Sequence, residues 1–296
     1  AGKTPALIDS WVKDTSKPDT TTEKWVYKPG GGGKSHKISL NRHGGGFIST
    51  AAAQKFASLV ADPSCQVEQV QIGKLGNSIY SMHKTPDNPN GTVIVDSGKT
   101  SSKLWSQTEE AARLLALDMF MGVKRSPDGI WMRTDGKKIE FLGRDNGQID
   151  KDLAKSPDLI EDDFISVLKG YPIKHFNLYG VEKLTMDTPE GKKAFLKSCE
   201  YYAGLTDKKI DEVINQIQRE TFSDLNSADP ESEKQALRDY IKGRVKAMRK
   251  VTDKYVLGDL TATVDNLSPP AAIAQQKVGQ EKVFIVDKWT EGSSLG

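Results

Sequence analysis

Sulfur and imidazole are scarce in this chain of 296 residues, which holds two cysteines, Cys65 and Cys199, and four histidines. The cysteines stand far apart and without metal-ligand spacing, so neither a structural disulfide nor a zinc site is expected. His36, His43, His83 and His175 are scattered and form no HExxH cluster, which removes the common metalloprotease layout. No apolar run approaches the ~18–20 residues that a transmembrane helix needs. The first residues lack the basic-then-apolar layout of a signal peptide. Charge of one sign is also missing: 42 Lys and Arg nearly cancel 40 Asp and Glu, leaving +2. Binding to nucleic acid is therefore not expected, nor is an acidic solvating tail, and any basic patch has to be local. Together these absences predict a reduced, soluble, cytoplasmic protein.

The length suits one large domain or two small lobes, each able to bury a core. Trp25-Val26-Tyr27-Lys28 reads as a strand from its aromatic and β-branched content, and Lys37-Ile38-Ser39-Leu40 resumes extended structure. Ser49 and Thr50 are placed to cap a helix over Ala51–Val60. Val67–Ile72, Ser78–Met82 and Thr92–Val95 read as further strands. From Ser106 the apolar period becomes helical, with Ala111, Leu114, Leu115, Leu117 and Met121 on one face, and Gly122 ends that helix. A hairpin follows, Ile130–Met132 and Ile139–Phe141 around Asp135-Gly136. Beyond Asp150 the chain reads as helices near 159–169, 189–204, 207–221 and 230–250, and Val283–Val286 is a last strand-like run. No internal repeat is present.

The four consecutive glycines Gly30, Gly31, Gly32 and Gly33 lie between two strands and are flanked by Lys28, Lys34 and Lys37. Glycines let backbone N–H groups approach phosphate oxygens because no Cβ intervenes. A neighbouring lysine, Lys28 or Lys37, supplies charge to the phosphates. The GxxxxGK[ST] spacing of a Walker A loop is absent. The competing reading is a plain hairpin loop.

The stretch from Leu117 to Met132, with its basic loop Lys124-Arg125 and the nearby Asp128, leads into a hairpin that ends in Leu142-Gly143-Arg144-Asp145-Asn146-Gly147. This order of parts resembles the core of the atypical protein kinases, the group of phosphatidylinositol 3/4-kinase-like, actin-fragmin-kinase-like and HipA-like enzymes. In that group a catalytic loop follows the helix, and an Asp-Phe-Gly or Asp-Asn-Gly motif follows the hairpin. The resemblance covers about residues 25–150. It implies an α+β, bilobal kinase-like fold, with a strand-rich first lobe at 1–98 and a helical second lobe at 99–296. It also implies ATP, held with Mg²⁺ or Mn²⁺ on Asp145, because the metal has to bridge phosphates and neutralise developing charge. Val93–Gly98 resembles the linker strand whose backbone reads adenine, which puts Val95 at the base. The catalytic loop departs from the pattern: Val123 or Lys124 stands where the family has its catalytic Asp. Only Arg125 is retained there, and Asp128 is the nearest acid able to orient a hydroxyl. Asp118 falls where relatives often carry a structural helix Asp. Helix 51–60 offers Gln54 where a kinase usually has a glutamate, and Glu68 on the next strand is a substitute acid. For Asp145 the alternative is an ordinary turn aspartate beside Asn-Gly.

Residues 234–254 form a basic stripe. Arg238, Lys242, Lys246 and Lys250 or Arg249 share one helical face, while Leu237, Ile241, Val245 and Met248 form an apolar one. Such a stripe suits an inositol polyphosphate or an anionic lipid headgroup, and it is also the pattern of a solvated face. Degenerate kinase-like bacterial effectors activated by inositol hexakisphosphate show a similar order of parts, which implies that activator and action in a host cytosol.

The reading is thus a divergent protein kinase that transfers the γ-phosphoryl group to a protein hydroxyl. Asp128, Lys28 and Arg125 are the catalytic candidates. Gly30, Gly31, Gly32, Gly33, Lys37 and Val95 are the nucleotide-binding candidates, and Asp145 is the metal ligand. Two readings compete with it. One is a pseudokinase that binds inositol polyphosphate or transfers AMP. The other is an ATP-grasp-like ligase, whose nucleotide-covering strands Val26-Tyr27-Lys28-Pro29 also resemble.

Overall fold

The protein is described from a computed structural model that covers residues 11–13, 24–27, 38–43, 48–75, 78–84, 92–94, 109–125, 130–134, 139–143, 146–176, 186, 188–222, 229–256 and 284–285. In chain order the elements are β1 (Trp11–Lys13), β2 (Lys24–Tyr27), β3 (Ile38–His43), α1 (Thr50–Val60), β4 (Gln71–Leu75), β5 (Ser78–Lys84), β6 (Thr92–Ile94) and α2 (Glu109–Met121). They continue with β7 (Ile130–Thr134), β8 (Ile139–Gly143), α3 (Lys151–Lys155), α4 (Leu159–Lys169), α5 (Pro189–Ala203), α6 (Asp207–Gln216), α7 (Pro230–Tyr255) and β9 (Phe284–Ile285).

One sheet has the order β1-β2-β3-β5-β4-β9 and the other the order β6-β7-β8. All pairings are antiparallel except that of β4 with β9. The expected hairpin forms with Trp131 opposite Leu142 and Met132 opposite Phe141. Two expectations shift. The strand read at Val67–Ile72 starts at Gln71, and its first part makes only a single parallel bridge, Val67 to Gly143. The helix read at 207–221 stops at Gln216, where Ile217 turns to extended backbone, and a tight 3₁₀ turn over Arg219–Phe222 finishes it.

Helix α2 is buried nearly all round, from Ala111 to Met121, which is why its sequence is apolar on more than one face. It lies against α5, and α5 lies against α7. One continuous core joins Phe56, Ala57 and Val60 of α1 to Leu114 and Phe120 of α2, Phe195 and Tyr202 of α5, and Leu237, Ile241, Val245 and Met248 of α7. The apolar face expected on α7 is thus the buried one. Phe120 and Tyr202 stack with ring centroids 4.6 Å apart. Position 98, the expected lobe boundary, lies outside the described residues. The core itself runs from α1 into the later helices.

The starts of α5, α6 and α7 each have a side-chain cap as their local cause. Thr188 accepts from the Gly191 N–H at α5, Thr206 from the Lys209 N–H at α6, and Asp229 from the Glu231 N–H at α7. Proline occupies the first turn of α5 and of α7, where its missing N–H costs nothing. Among the described residues no helix is long and apolar enough to cross a membrane.

Candidate functional site

The turn that carries the Asp-Asn-Gly motif is held from three directions. The first is the C-terminus of α2, whose last four carbonyls all find partners. The Val123 N–H returns to the Asp118 carbonyl at 3.0 Å, across Gly122 in the left-handed conformation at φ 71°. Arg244 of α7 donates to the carbonyls of Met119 and Phe120, and the Tyr240 hydroxyl donates to that of Met121 at 2.9 Å. The Asp150 N–H then donates to the Gly122 carbonyl. A cation at a helix C-terminus also opposes the negative end of the macrodipole. Burial lowers the Arg244 pKa from its ordinary value, and its guanidinium lies over the Phe176 ring at 5.8 Å.

The second direction is Asp118 itself. Its carboxylate receives Arg125 through Nε at 2.9 Å and through Nη2, and Nη2 also donates to Asn146 Oδ1 at 2.7 Å. Burial raises the Asp118 carboxyl above its ordinary value, and the charge and hydrogen bonds of Arg125 offset only part of that rise. Asn146 Nδ2 donates to the Gly143 carbonyl at 3.1 Å. Both ends of the Asn146 amide are therefore spent inside the protein. The expected structural role of Asp118 is what the geometry shows. Arg125, expected among the reacting groups, has a side chain only 1% exposed. That burial suits it to positioning the turn and not to meeting a substrate.

The third direction comes from α1 and the segment before β4. The Gly143 N–H donates to the Gln66 carbonyl at 3.0 Å, and its carbonyl accepts the Glu68 N–H at 2.9 Å. A Cβ on Gly143 would strike Leu114, and a Cβ on Gly147 would strike the Thr50 carbonyl and the Gln54 backbone N. Glycine at 147, where the contacts are backbone atoms, is thus a matter of contact distance. Helix α1 is fixed in turn by Ser49, whose hydroxyl accepts from the Ala52 N–H and donates to the Thr221 carbonyl. Gln54 of α1 is fully buried beside Gly147, and neither end of its amide has a partner. Glu68 is also buried, at 3% exposure.

The remaining expected residues divide in two. Lys28, Gly30, Gly31, Gly32, Gly33, Lys37, Val95, Asp128 and Asp145 lie outside the described residues. Among the described residues no group of three His, Cys, Asp or Glu side chains is arranged for a metal ion.

The basic face of α7 is described in full, and most of it has internal partners. Arg238 meets Asp211 at 2.8 Å, and Lys242 lies 3.4 Å from Asp211 and 3.5 Å from Asp207. Arg249 donates to the carbonyls of Ala203 and Leu205 at the end of α5. Lys250 is 3.9 Å from the exposed Asp158, and Lys246 is exposed.

Three buried polar groups escaped the sequence reading. Arg244 sits three residues after Ile241 within the apolar register, and that position was the available signal for a buried guanidinium. Asp163, three after Ile160, takes the N–H groups of Lys174, His175 and Phe176 at 2.7–2.9 Å and folds the chain after α4 back on the helix. Asp62 accepts from the Ser198 hydroxyl at 2.5 Å, and its N–H donates to the Tyr202 hydroxyl at 3.1 Å.

The described elements thus define an α+β chain in which α1 and the Asp118–Arg125 pair at the end of α2 hold one turn, and α7 holds the end of α2. No known family and no curated protein matches the sequence. Among solved structures the chain is similar to a Helicobacter pylori proinflammatory kinase, CtkA, at 10% identity. That likeness covers 82% of this chain and 97% of the other, with a TM-score of 0.46.

Proposed function

We propose that the chain is a divergent ATP-dependent protein kinase that moves the γ-phosphoryl group of ATP to a protein hydroxyl. The observation that supports this reading most is the clamping of the Asp-Asn-Gly turn. Asn146 is locked by Arg125 and Asp118, and Gly147 is pressed on the first turn of α1. Phosphoryl transfer is catalysed mainly by positioning and electrostatics, so a carboxylate that holds a metal needs a rigid base. A turn serving only to join two elements has no need of a buried ion pair beneath it.

Asp145 would hold Mg²⁺ or Mn²⁺. The donor chemistry fits one ligand from this turn, since the Asn146 amide is already engaged, and the unpartnered Gln54 amide beside it fits a polar occupant. Such a metal would supply positive charge to the phosphates as charge develops. Gly30–Gly33 would cover the phosphates, with Lys28 or Lys37 as their counter-charge, and the Val95 backbone would read adenine. Asp128 would orient the acceptor hydroxyl, and Arg125 would hold the turn. Inositol hexakisphosphate on α7 is the proposed regulator.

The test is phosphate incorporation from γ-labelled ATP into a generic protein acceptor with Mg²⁺ or Mn²⁺, with and without inositol hexakisphosphate. Asp145→Ala runs alongside. Incorporation that depends on Asp145 is expected. Label carried from the α-phosphate would replace kinase chemistry by AMP transfer, and no transfer of either label would sink the enzyme reading.

A further inference from the structure

The edge of a sheet is where a chain can add a strand, because one row of backbone N–H and C=O groups there has no neighbour. The outer edge of β4 is filled by the chain itself. β9 runs along it with Gly73 opposite Phe284 and Lys74 opposite Ile285, the single parallel pairing among the described strands. The two sides of β4 are held unequally. On the inner side β5 pairs antiparallel with the whole of Gln71–Leu75, through Ser78–Met82. On the outer side β9 engages only Gly73 and Lys74. So short a parallel ladder makes few hydrogen bonds, and it holds less firmly per residue than an antiparallel one. It also closes a long loop, since residues 257–283 lie between Phe284 and Val256, the cap of α7. Closing a loop costs conformational entropy that the ladder has to offset.

β4 is tied to the rest of the protein by other means. Ile72 is buried with Ala51 and Val70, and α1 and the Arg219–Phe222 turn lie against the strand. Gly73 brings no side chain to the edge, which suits the close approach of another backbone. We propose that β9 is a removable strap and that the outer edge of β4 is a strand-addition site. In the free protein the site holds the chain's own Phe284–Ile285. Its partner is an extended segment of another protein, with the apolar, β-favouring pattern of Val283-Phe284-Ile285-Val286, that pairs along more of Gln71–Leu75 than β9 does. Main-chain hydrogen bonds supply its affinity. The tethered β9 competes at an effective concentration on the order of millimolar. The β9 of a second copy makes the same short ladder without the tether, so exchange between copies is disfavoured. Nothing in this exchange depends on nucleotide.

The test uses the full chain and a fluorescein-labelled peptide, Glu-Lys-Val-Phe-Ile-Val-Asp-Lys, which is the sequence of residues 281–288. Wild type is compared with the double variant Phe284→Pro, Ile285→Pro, whose tail has no N–H at either position to give to a ladder. Fluorescence anisotropy measures affinity, and hydrogen exchange of the Gln71–Leu75 amides shows where the peptide sits. The variant should melt close to wild type and bind the peptide about tenfold or more tightly, because its own competitor is gone. Exchange within Gln71–Leu75 should slow when the peptide is bound. Equal affinity of the two proteins overturns the proposal, because β9 then does not guard the edge. A variant that binds no peptide, or binds it without slowing exchange in Gln71–Leu75, overturns it as well. So does a variant that loses its fold, because β9 is then a fixed part of the sheet.

Discussion

The guanidinium of Arg125 is enclosed between the carboxylate of Asp118, seven residues earlier, and the side-chain oxygen of Asn146, twenty-one residues later. Both members of the ion pair have side chains 1% exposed. Removing one partner leaves the other charge buried and alone, which costs about 3–5 kcal/mol. Asp118→Ala and Arg125→Met should each lose that much in urea unfolding. The double variant Asp118→Leu with Arg125→Met should lose clearly less than the sum. Additive losses would show that the two charges do not act as a pair.

Gly147 tests the clamp without touching charge. Alanine there meets the backbone of α1, which can retreat only by opening its first turn. Overpacking of this kind costs about 1–3 kcal/mol. Gly147→Ala should keep the helical content seen by circular dichroism while phosphate transfer falls. An unchanged transfer rate would mean that the contact between α1 and the turn is not needed for chemistry.

Arg244 carries three carbonyls, those of Met119, Phe120 and Leu153. Arg244→Met should destabilise by about 3 kcal/mol or more, since each of three buried carbonyls left unpaired costs ~1–3 kcal/mol and the apolar stem is retained. Arg244→Lys should restore little, because one ammonium cannot reproduce a planar fork. Denaturant midpoints of the two variants settle the comparison.

Glu161 predicts a pH response. Hydrogen bonds from Lys254 and Tyr255 hold its carboxyl below the usual glutamate range. Its folded pKa is thus under its unfolded one, so its contribution is present above the unfolded value, ~4.3, and is lost as pH falls through the folded value. Melting curves of wild type and Glu161→Gln should differ at neutral pH and converge on acidification. A gap that persists in acid would rule out ionisation as its source.

If α7 takes the proposed regulator, inositol hexakisphosphate would have to compete with Asp207 and Asp211 for Lys242, and with Asp211 for Arg238. Asp211→Asn should therefore tighten its binding in calorimetry, and Lys246→Glu should weaken it, both effects shrinking with added salt. No measurable binding by either wild type or Asp211→Asn would remove the regulator.

The elements that bury one face were legible in advance. Leu237, Ile241, Val245 and Met248 repeat with helical spacing and face the core, and the alternation around Asp135-Gly136 gave the hairpin. The segment Val67–Val70 misled because Val67, Val70 and Ile72 recur as in a half-buried strand, while Glu68 is buried beside Val67 and the backbone pairs only once, with Gly143. Periodicity reports burial, and pairing depends on a partner elsewhere in the chain. The same limit applied to the site. Helical spacing put Arg238 and Lys242 on one face, yet it could not show that Asp211, 27 and 31 residues away from them, lies opposite. The Asp-Asn-Gly motif pointed to the turn, and the ion pair beneath it became visible only when α2 and the loop after it were brought together.

Cys65 and Cys199 are both enclosed, and burial raises both thiol pKa values above the ordinary cysteine range. A maleimide or similar thiolate-seeking probe therefore finds little to react with while the fold is closed. The chain carries two native clocks at different addresses, one where the Asp62 network joins α1 to α5 and one inside α5 itself. Their separate labelling rates would time the opening of each region without any engineered reporter.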